Sequence, residues 1–289
     1  MNTKFLTAIT AAWMTCGTAM AEIDYTQIPT PGPMPEANQG GTISIDGIEM
    51  YYAVFGPSDA ESVPILMIHG GLGHAEIWAP QIADLAQDHQ IIVADTRGHG
   101  RSANDGSTYT YDLLASDYVG LLDSLDVDQV HLVGWSDGAN IGFVLSQTAP
   151  ERLASHFAHA GNVTLDGIDP TVGENAVFGA YISQMGEDYA RLNPTSVTYE
   201  DFLGAVAQMW STEKPGGIEA LTEVDVPTTI VHSQFDEAIL EDHSEAMANA
   251  IPGSRYILLE GVSHFASLQS PDAYTRAIRE HLDWVDGLQ

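Results

Sequence analysis

An α/β fold is predicted: a mostly parallel sheet with helices on both faces and an inserted helical cap. Three features of the sequence point to it. Short apolar runs of strand length alternate with segments of helical period along most of the chain, the pattern of strand–helix–strand crossovers. A tight glycine-flanked turn, Gly134-Trp135-Ser136-Asp137-Gly138, joins one such run to one such helix. A single long stretch, residues 162–223, carries helical patches without a strand and interrupts the alternation. With 289 residues, 44% of them hydrophobic, the chain can bury one sizeable core.

The elements follow in order. Residues 1–21 have the layout of a secretory leader. Lys4 is the only cation, Phe5 to Met20 is apolar and uncharged, and Ala19-Met20-Ala21 forms an A-x-A cleavage site. The apolar stretch is shorter than the ~20 residues a spanning helix needs. The expectation is cleavage after Ala21, a periplasmic or secreted mature protein, and no stable membrane insertion. Cleavage removes Cys16, the only cysteine, and with it disulfide and metal-thiolate chemistry. Residues 22–40 hold Pro29, Pro31, Pro33 and Pro35 and read as an extended arm or tether.

Thr42–Ile45 and Ile48–Phe55 alternate around Asp46-Gly47, the pattern of a β-hairpin. Further strands are expected at Val63–Ile68, Gln90–Ala94, Gln129–Val133, Leu153–Ala158, Thr228–His232 and Arg255–Leu259. Helices are expected at Ile77–Gln87, Tyr111–Leu125, Asp137–Thr148, Glu241–Ile251 and Asp272–Val285. The core is then residues 41–161 and 224–289. The cap, 162–223, holds helical patches at Glu174–Met185 and Tyr199–Trp210.

The charge balance excludes some partners. Nine Lys+Arg face 40 Asp+Glu, a net charge of −31. Such a surface repels nucleic acid and anionic lipid. Its plainest reading is solubility in saline surroundings, where ions screen the self-repulsion. No calcium-binding D-x-[DN]-x-[DN]-G loop is present. His156 and His159 are spaced three apart on a strand, so they face opposite ways and do not suggest a metal pair. No metal or cofactor is expected.

The glycine-flanked turn carries the chemistry. A serine between a strand and a helix, on a turn tight enough to need Gly134 and Gly138, projects its hydroxyl above the sheet. The helix behind it offers N–H groups and a positive dipole end to a developing oxyanion. A serine nucleophile needs a base, and the base an orienting acid. His264 and Asp236 each follow an expected strand, in the order serine, acid, histidine. Asp166, Asp169, Glu237 and Asp242 remain as alternative acids. His69-Gly70-Gly71-Leu72-Gly73 follows Val63–Ile68 and matches an oxyanion-loop pattern. Gly71 is the first candidate donor and Leu72 the second, with Asp137 supplying the other N–H. His69 precedes the serine and reads as structural.

These residues, together with Asp95-Thr96-Arg97-Gly98-His99-Gly100-Arg101-Ser102, resemble the α/β-hydrolase superfamily over nearly all of Gly41 to Val285. The resemblance implies that Arg97 and His99 belong to a structural loop. Serine at 136 departs from dehalogenases and epoxide hydrolases, which use aspartate. Leu72 after Gly71 departs from proline iminopeptidases. Gly-Trp-Ser-Asp-Gly is similar to the elbow of biphenyl hydrolase-like (valacyclovir hydrolase-type) enzymes, which implies a role for Asp137 toward a substrate ammonium. The resemblance thus implies a serine hydrolase acting on a small carboxylic ester, such as an α-amino acid ester or lactone, with Trp135, Phe178, Tyr181 and Trp210 shaping the substrate pocket. It also admits a non-catalytic small-molecule receptor, or a cofactor-free haloperoxidase or perhydrolase.

Overall fold

The computed structural model describes residues 23–58, 63–213 and 215–288. The expected leader lies outside the described residues.

The hairpin of β1 (Gln39–Ile45) and β2 (Ile48–Phe55) closes with Ile45 opposite Ile48. Asp46 and Gly47 both take positive φ, 46° and 87°, the conformation a two-residue type I′ loop requires. The alternation then gives β3 (Ile65–Ile68), α1 (Ala79–Leu85), β4 (Ile91–Ala94), α2 (Tyr111–Ser124), β5 (Val130–Trp135), α3 (Asp137–Thr148) and β6 (Leu153–His159). In the next stretch lie α4 (Ala176–Leu192), α5 (Tyr199–Thr212) and the short α6 (Gly217–Ala220). The sheet resumes with β7 (Thr228–Phe235), α7 (Glu241–Ala250) and β8 (Arg255–Ser263), followed by α8 (Ala266–Gln269) and α9 (Pro271–Asp286).

The eight strands run β1-β2-β4-β3-β5-β6-β7-β8. From β4 to β8 all pairings are parallel, and β2 joins antiparallel. Every residue of β3, β4 and β5 is buried, as a sheet covered on both faces demands. The chain goes from β3 outward to β4, then back past β3 to β5. That reversal opens a crevice at the carboxyl ends of β3 and β5, where ligands of such sheets bind. The His69–Gly73 loop and the Ser136 turn are what β3 and β5 deliver there.

Two strands run longer than their apolar cores suggest. β7 continues to Phe235 and β8 to Ser263, and these two residues pair. Asp236 and His264 are therefore each the first residue beyond their strand.

The cap helices begin where side chains accept their free N–H groups. Asn175 caps α4 through Val177 and Phe178, and Thr198 caps α5 through Asp201. The cap is seated on the loop after β4. Phe202 meets His99 edge-on at 4.7 Å and stacks on Tyr189. Asn193 donates to the carbonyls of Gly98, Gly100 and Ser102, each at 3.3 Å. Arg97, buried beneath, makes a two-armed contact to Asp117 at 2.7 and 2.6 Å and reaches Asp105 at 3.0 Å. The proline-rich arm carries no helix or strand before Gln39, yet it is no free tether. Ile23, Ile28 and Met34 pack against the core.

Candidate active site

Ser136 stands on a strained turn. Its φ of 55° and ψ of −118° lie where a residue with a Cβ rarely sits. Crowding by backbone explains why glycines flank it. A Cβ on Gly134 would lie 2.5 Å from the carbonyl oxygen of Gly138, and one on Gly138 would lie 2.1 Å from that of Ile68. Between Val130 and Ser146, Ser136 alone is not buried. Its hydroxyl makes no hydrogen bond among the described residues. In unliganded hydrolases the serine–histidine contact often closes only around substrate.

His264 is fully enclosed and its Nδ1 meets Asp236 at 2.9 Å (Oδ1) and 3.2 Å (Oδ2). Asp236 is fixed in turn, its Oδ1 also accepting the N–H groups of Ala238 and Ile239 at 2.9 Å each. Burial disfavours the imidazolium, but the charge and hydrogen bond of Asp236 outweigh it, and the His264 pKa is raised above its usual value. Burial likewise pushes Asp236 up, and His264 more than cancels this, so its carboxyl stays below the ordinary range. The pair thus favours a charged imidazolium over an ionised aspartate, the state a general base reaches during attack.

The main chain of His264 is gripped on both sides. Its N–H donates to Glu237 Oε2 at 3.1 Å, and its carbonyl accepts the indole N–H of Trp135 at 2.9 Å. Glu237, one of the alternative acids, therefore holds the histidine's backbone while Asp236 holds its ring. Asp166 and Asp169 follow β6 and Asp242 lies in α7; among the described residues none of the three bonds to His264.

The His69–Gly73 loop, the expected oxyanion loop, lies against the turn. A Cβ on Gly70 would touch the Ser136 Cβ at 3.0 Å. A Cβ on Gly71 would lie 2.3 Å from Asp137 Oδ2 and 2.6 Å from Trp210, so only glycine fits there. Tyr181 donates its hydroxyl to the Gly71 carbonyl at 2.8 Å, and Leu72 takes a φ of 65°. Among the described residues the N–H groups of Gly71, Leu72 and Asp137 have no protein acceptor. His69 is occupied elsewhere: Nδ1 meets the Gly70 carbonyl at 2.7 Å and Nε2 accepts the Thr96 N–H at 3.0 Å. Burial drives its pKa down to about 3, so it stays neutral.

In front of Ser136 is a cavity of about 140 Å³, lined by Ser136, Asp137, Asn162, Ile168, Val172, Phe178, Trp210, Ala238 and Ile239. Phe178 and Trp210 are cap residues that the sequence placed at the substrate. The other two expected aromatics sit elsewhere. Trp135 is buried under the turn, stacked edge-on to Phe265 and Tyr181, and grips His264 instead of facing the cavity. Tyr181 points its hydroxyl at the oxyanion loop. Strand alternation explains Trp135, which shares a sheet face with His131 and Val133, away from the cavity.

Asp137 is the one carboxylate among the residues lining this cavity. Its Oδ1 accepts the Tyr111 hydroxyl at 2.7 Å and its Oδ2 the Trp210 indole N–H at 2.8 Å. Asn140 in turn donates to the Tyr111 hydroxyl and to Asn162 Oδ1. Burial raises the Asp137 pKa, against the pull of its two donors. Tyr111, Asn140 and Asn162 were not singled out by the sequence, because their link to Asp137 exists only once three elements converge.

Fold and site define the class. The chain belongs to the α/β hydrolase fold family, whose model matches residues 63–271, and it is a hydrolase. Among curated relatives it is similar to RutD of Azorhizobium caulinodans, classed by name with carbamate hydrolases, at 28% identity over 85% of this chain and 97% of that protein. It is also similar to the serine hydrolase BPHL of Mus musculus, at 25% identity over 83% of this chain and 85% of that protein. Among solved structures, Est816, an N-acyl homoserine lactone degrading enzyme, superposes with a TM-score of 0.71 at 25% identity, covering 83% of this chain and 99% of Est816.

Proposed function

We propose that this protein is a serine esterase that hydrolyses small carboxylic esters through an acyl-enzyme on Ser136. The observation that carries the reading is the enclosed His264–Asp236 pair, together with a partly exposed serine on a strained turn and three unclaimed N–H groups. His264 takes the Ser136 proton as the oxygen attacks the ester carbonyl. The N–H groups of Gly71 and Asp137 hold the oxyanion, with Leu72 as the alternative donor. His264 then returns the proton to the departing alcohol. Water, deprotonated by His264, releases the acid and restores the serine.

The cavity sets the acyl size. About 150 Å³ is enough for a benzene ring in a protein interior, so about 140 Å³ of mostly apolar space suits a short or single-ring acyl group. Asp137 supports a finer reading, an α-amino acid ester. It is a buried carboxylate at the cavity wall with two neutral donors and no cation bonded to it among the described residues. Each carboxylate oxygen keeps a second lone pair for a substrate ammonium. A panel of esters and lactones of graded acyl length, with an amino acid ester beside its des-amino analogue, tests both. Short-acyl preference is expected, together with a higher kcat/KM for the amino form. Equal rates for the amino and des-amino esters refute the role of Asp137, and hydrolysis of long-chain esters only refutes the size limit. We also propose export with cleavage after Ala21; the intact mass of protein recovered from the periplasm or medium checks it, and a retained leader contradicts it.

A further inference from the structure

We propose that residues 23–28 are a strap that holds the Asp236 and His264 loops together, making the arm a positioning element of the reaction; this rests on the esterase reading above.

The arm turns sharply at its start. Asp24 accepts the Gln27 N–H at its carbonyl, and its Oδ1 accepts the Thr26 N–H and hydroxyl. The turn presents two things to the body of the protein, the ring of Tyr25 and the carbonyls of Tyr25 and Gln27. The ring stacks on Phe235, with centroids 4.1 Å apart and planes 25° apart. Phe235 is the residue before Asp236. Tyr25 and Phe235 remain 39% and 41% exposed, so the stack lies at the surface.

The carbonyls reach the histidine side through one residue. Gln269 Nε2 donates to Tyr25 O and Gln27 O at 2.9 Å each, and lies 3.0 Å from Ser263 Oγ. Gln269 Oε1 accepts the Ser263 N–H at 2.7 Å. Ser263 is the residue before His264. One six-residue turn thus touches the last residue of the acid strand directly, and that of the histidine strand through Gln269. Phe235 and Ser263 are themselves register partners, beyond an irregularity between Ser233 and Phe235 where the ladder is interrupted. The strap binds the two strands where their own pairing is weakest, immediately before the Asp236–His264 contact. Ile23 and Ile28 anchor it at either end. It lies outside the family-matched residues, which begin at 63.

The test uses the mature wild type, a truncation starting at Pro29, and full-length Tyr25→Ala and Gln269→Glu. The glutamate keeps an acceptor for the Ser263 N–H but loses both N–H donors to the arm. Wild-type labelling by a fluorophosphonate and hydrolysis of p-nitrophenyl acetate come first, and judge the esterase reading alone. The strap predicts a kcat loss on the order of 10- to 100-fold in the variants, the scale of a misplaced catalytic group. KM should stay within about threefold, since substrate contacts are untouched. The acidic limb of kcat/KM should move to lower pH as Asp236 loosens from His264, with the other titratable groups around the ring, Glu237, Asp137, His159 and His232, left unaltered. Variants that fold by circular dichroism yet keep the wild-type kcat and pH profile overturn the proposal. If the wild type is inert on esters, the downfield NMR signal of the His264 Nδ1 proton decides: loss in Tyr25→Ala and Gln269→Glu supports the strap, and an unchanged signal overturns it.

Discussion

Replacing Gly71 by alanine should disable the enzyme without unfolding it. Its added methyl carbon would lie 2.3 Å from Asp137 Oδ2 and 2.6 Å from Trp210 Cζ2, whereas ordinary contact begins at 3.4 Å. Something must move by more than 1 Å. The carboxylate is held by Tyr111 at 2.7 Å and by Trp210 at 2.8 Å, and Trp210 is the second atom in the way. Withdrawing either breaks a hydrogen bond to a buried charge, worth about 1.5–3 kcal/mol. The oxyanion loop is therefore the part that yields, carrying the Gly71 N–H away from the Ser136 turn. Loss of one such donor costs about 10²- to 10³-fold in kcat. Steady-state hydrolysis of p-nitrophenyl acetate, normalised by active-site titration, reads the effect. Gly179→Ala is the control: it lies in the exposed face of α4 with nothing within 4 Å of the new methyl, and should leave kcat unchanged. A Gly71→Ala enzyme with kcat within about threefold of wild type would refute the assignment of this loop to the oxyanion.

Three further outcomes follow from the same packing. Burial drives His69, His99, His156, His159 and His281 down to about 3, so the folded protein holds them neutral while the unfolded chain protonates them near 6.5. Their stability is complete above pH 6.5 and is lost as pH falls below it, at a cost on the order of 1–2 kcal/mol for each by pH 5. Asp117, Asp137 and Glu237, raised by burial, act in the opposite sense and offset part of this. Urea unfolding should give a free energy several kcal/mol lower at pH 5 than at pH 7.5, out of the ~5–15 a domain has, and a flat profile contradicts the assignment. Trp210→Phe leaves Asp137 one side-chain donor short and should lower the unfolding free energy by about 1–3 kcal/mol, read from denaturant curves; an unchanged midpoint means the indole N–H is not holding the carboxylate. The net charge of −31 predicts an unfolding temperature that rises with NaCl, and a fall with salt would dismiss the self-repulsion argument.

What the sequence made legible was local. The strand before Ser136 is a short apolar run and the helix after it a segment of helical period, both on one continuous stretch, and the glycines at 134 and 138 mark the backbone crowding between them. Asp236 and His264 were singled out by their order after Ser136 and by the expected strand that precedes each. What escaped depended on contacts between distant segments. Tyr181 reads as a pocket aromatic on a cap helix, but its hydroxyl finds a loop 110 residues earlier. Glu237 is the neighbour of Asp236, and only the approach of β8 shows that it holds the His264 N–H. Trp135 was decipherable in principle, because strand alternation continued two residues past Val133 puts it beneath the turn. The docking of the arm was not legible, because prolines announce the absence of internal hydrogen bonds and say nothing of where a segment packs. Ile23, Ile28 and Met34, spaced among them, were the available sign.

The central claim is that Ser136 forms a covalent acyl intermediate. Mixing the mature protein with p-nitrophenyl acetate at pH 5.5 to 7 and quenching for intact-mass analysis tests it directly. Below the raised pKa of His264 deacylation slows, so the wild type should gain one acetyl group, mapped by peptide fragmentation to Ser136, and Ser136→Ala should gain none. A Ser136→Ala protein that turns over the ester at the wild-type rate would contradict the account.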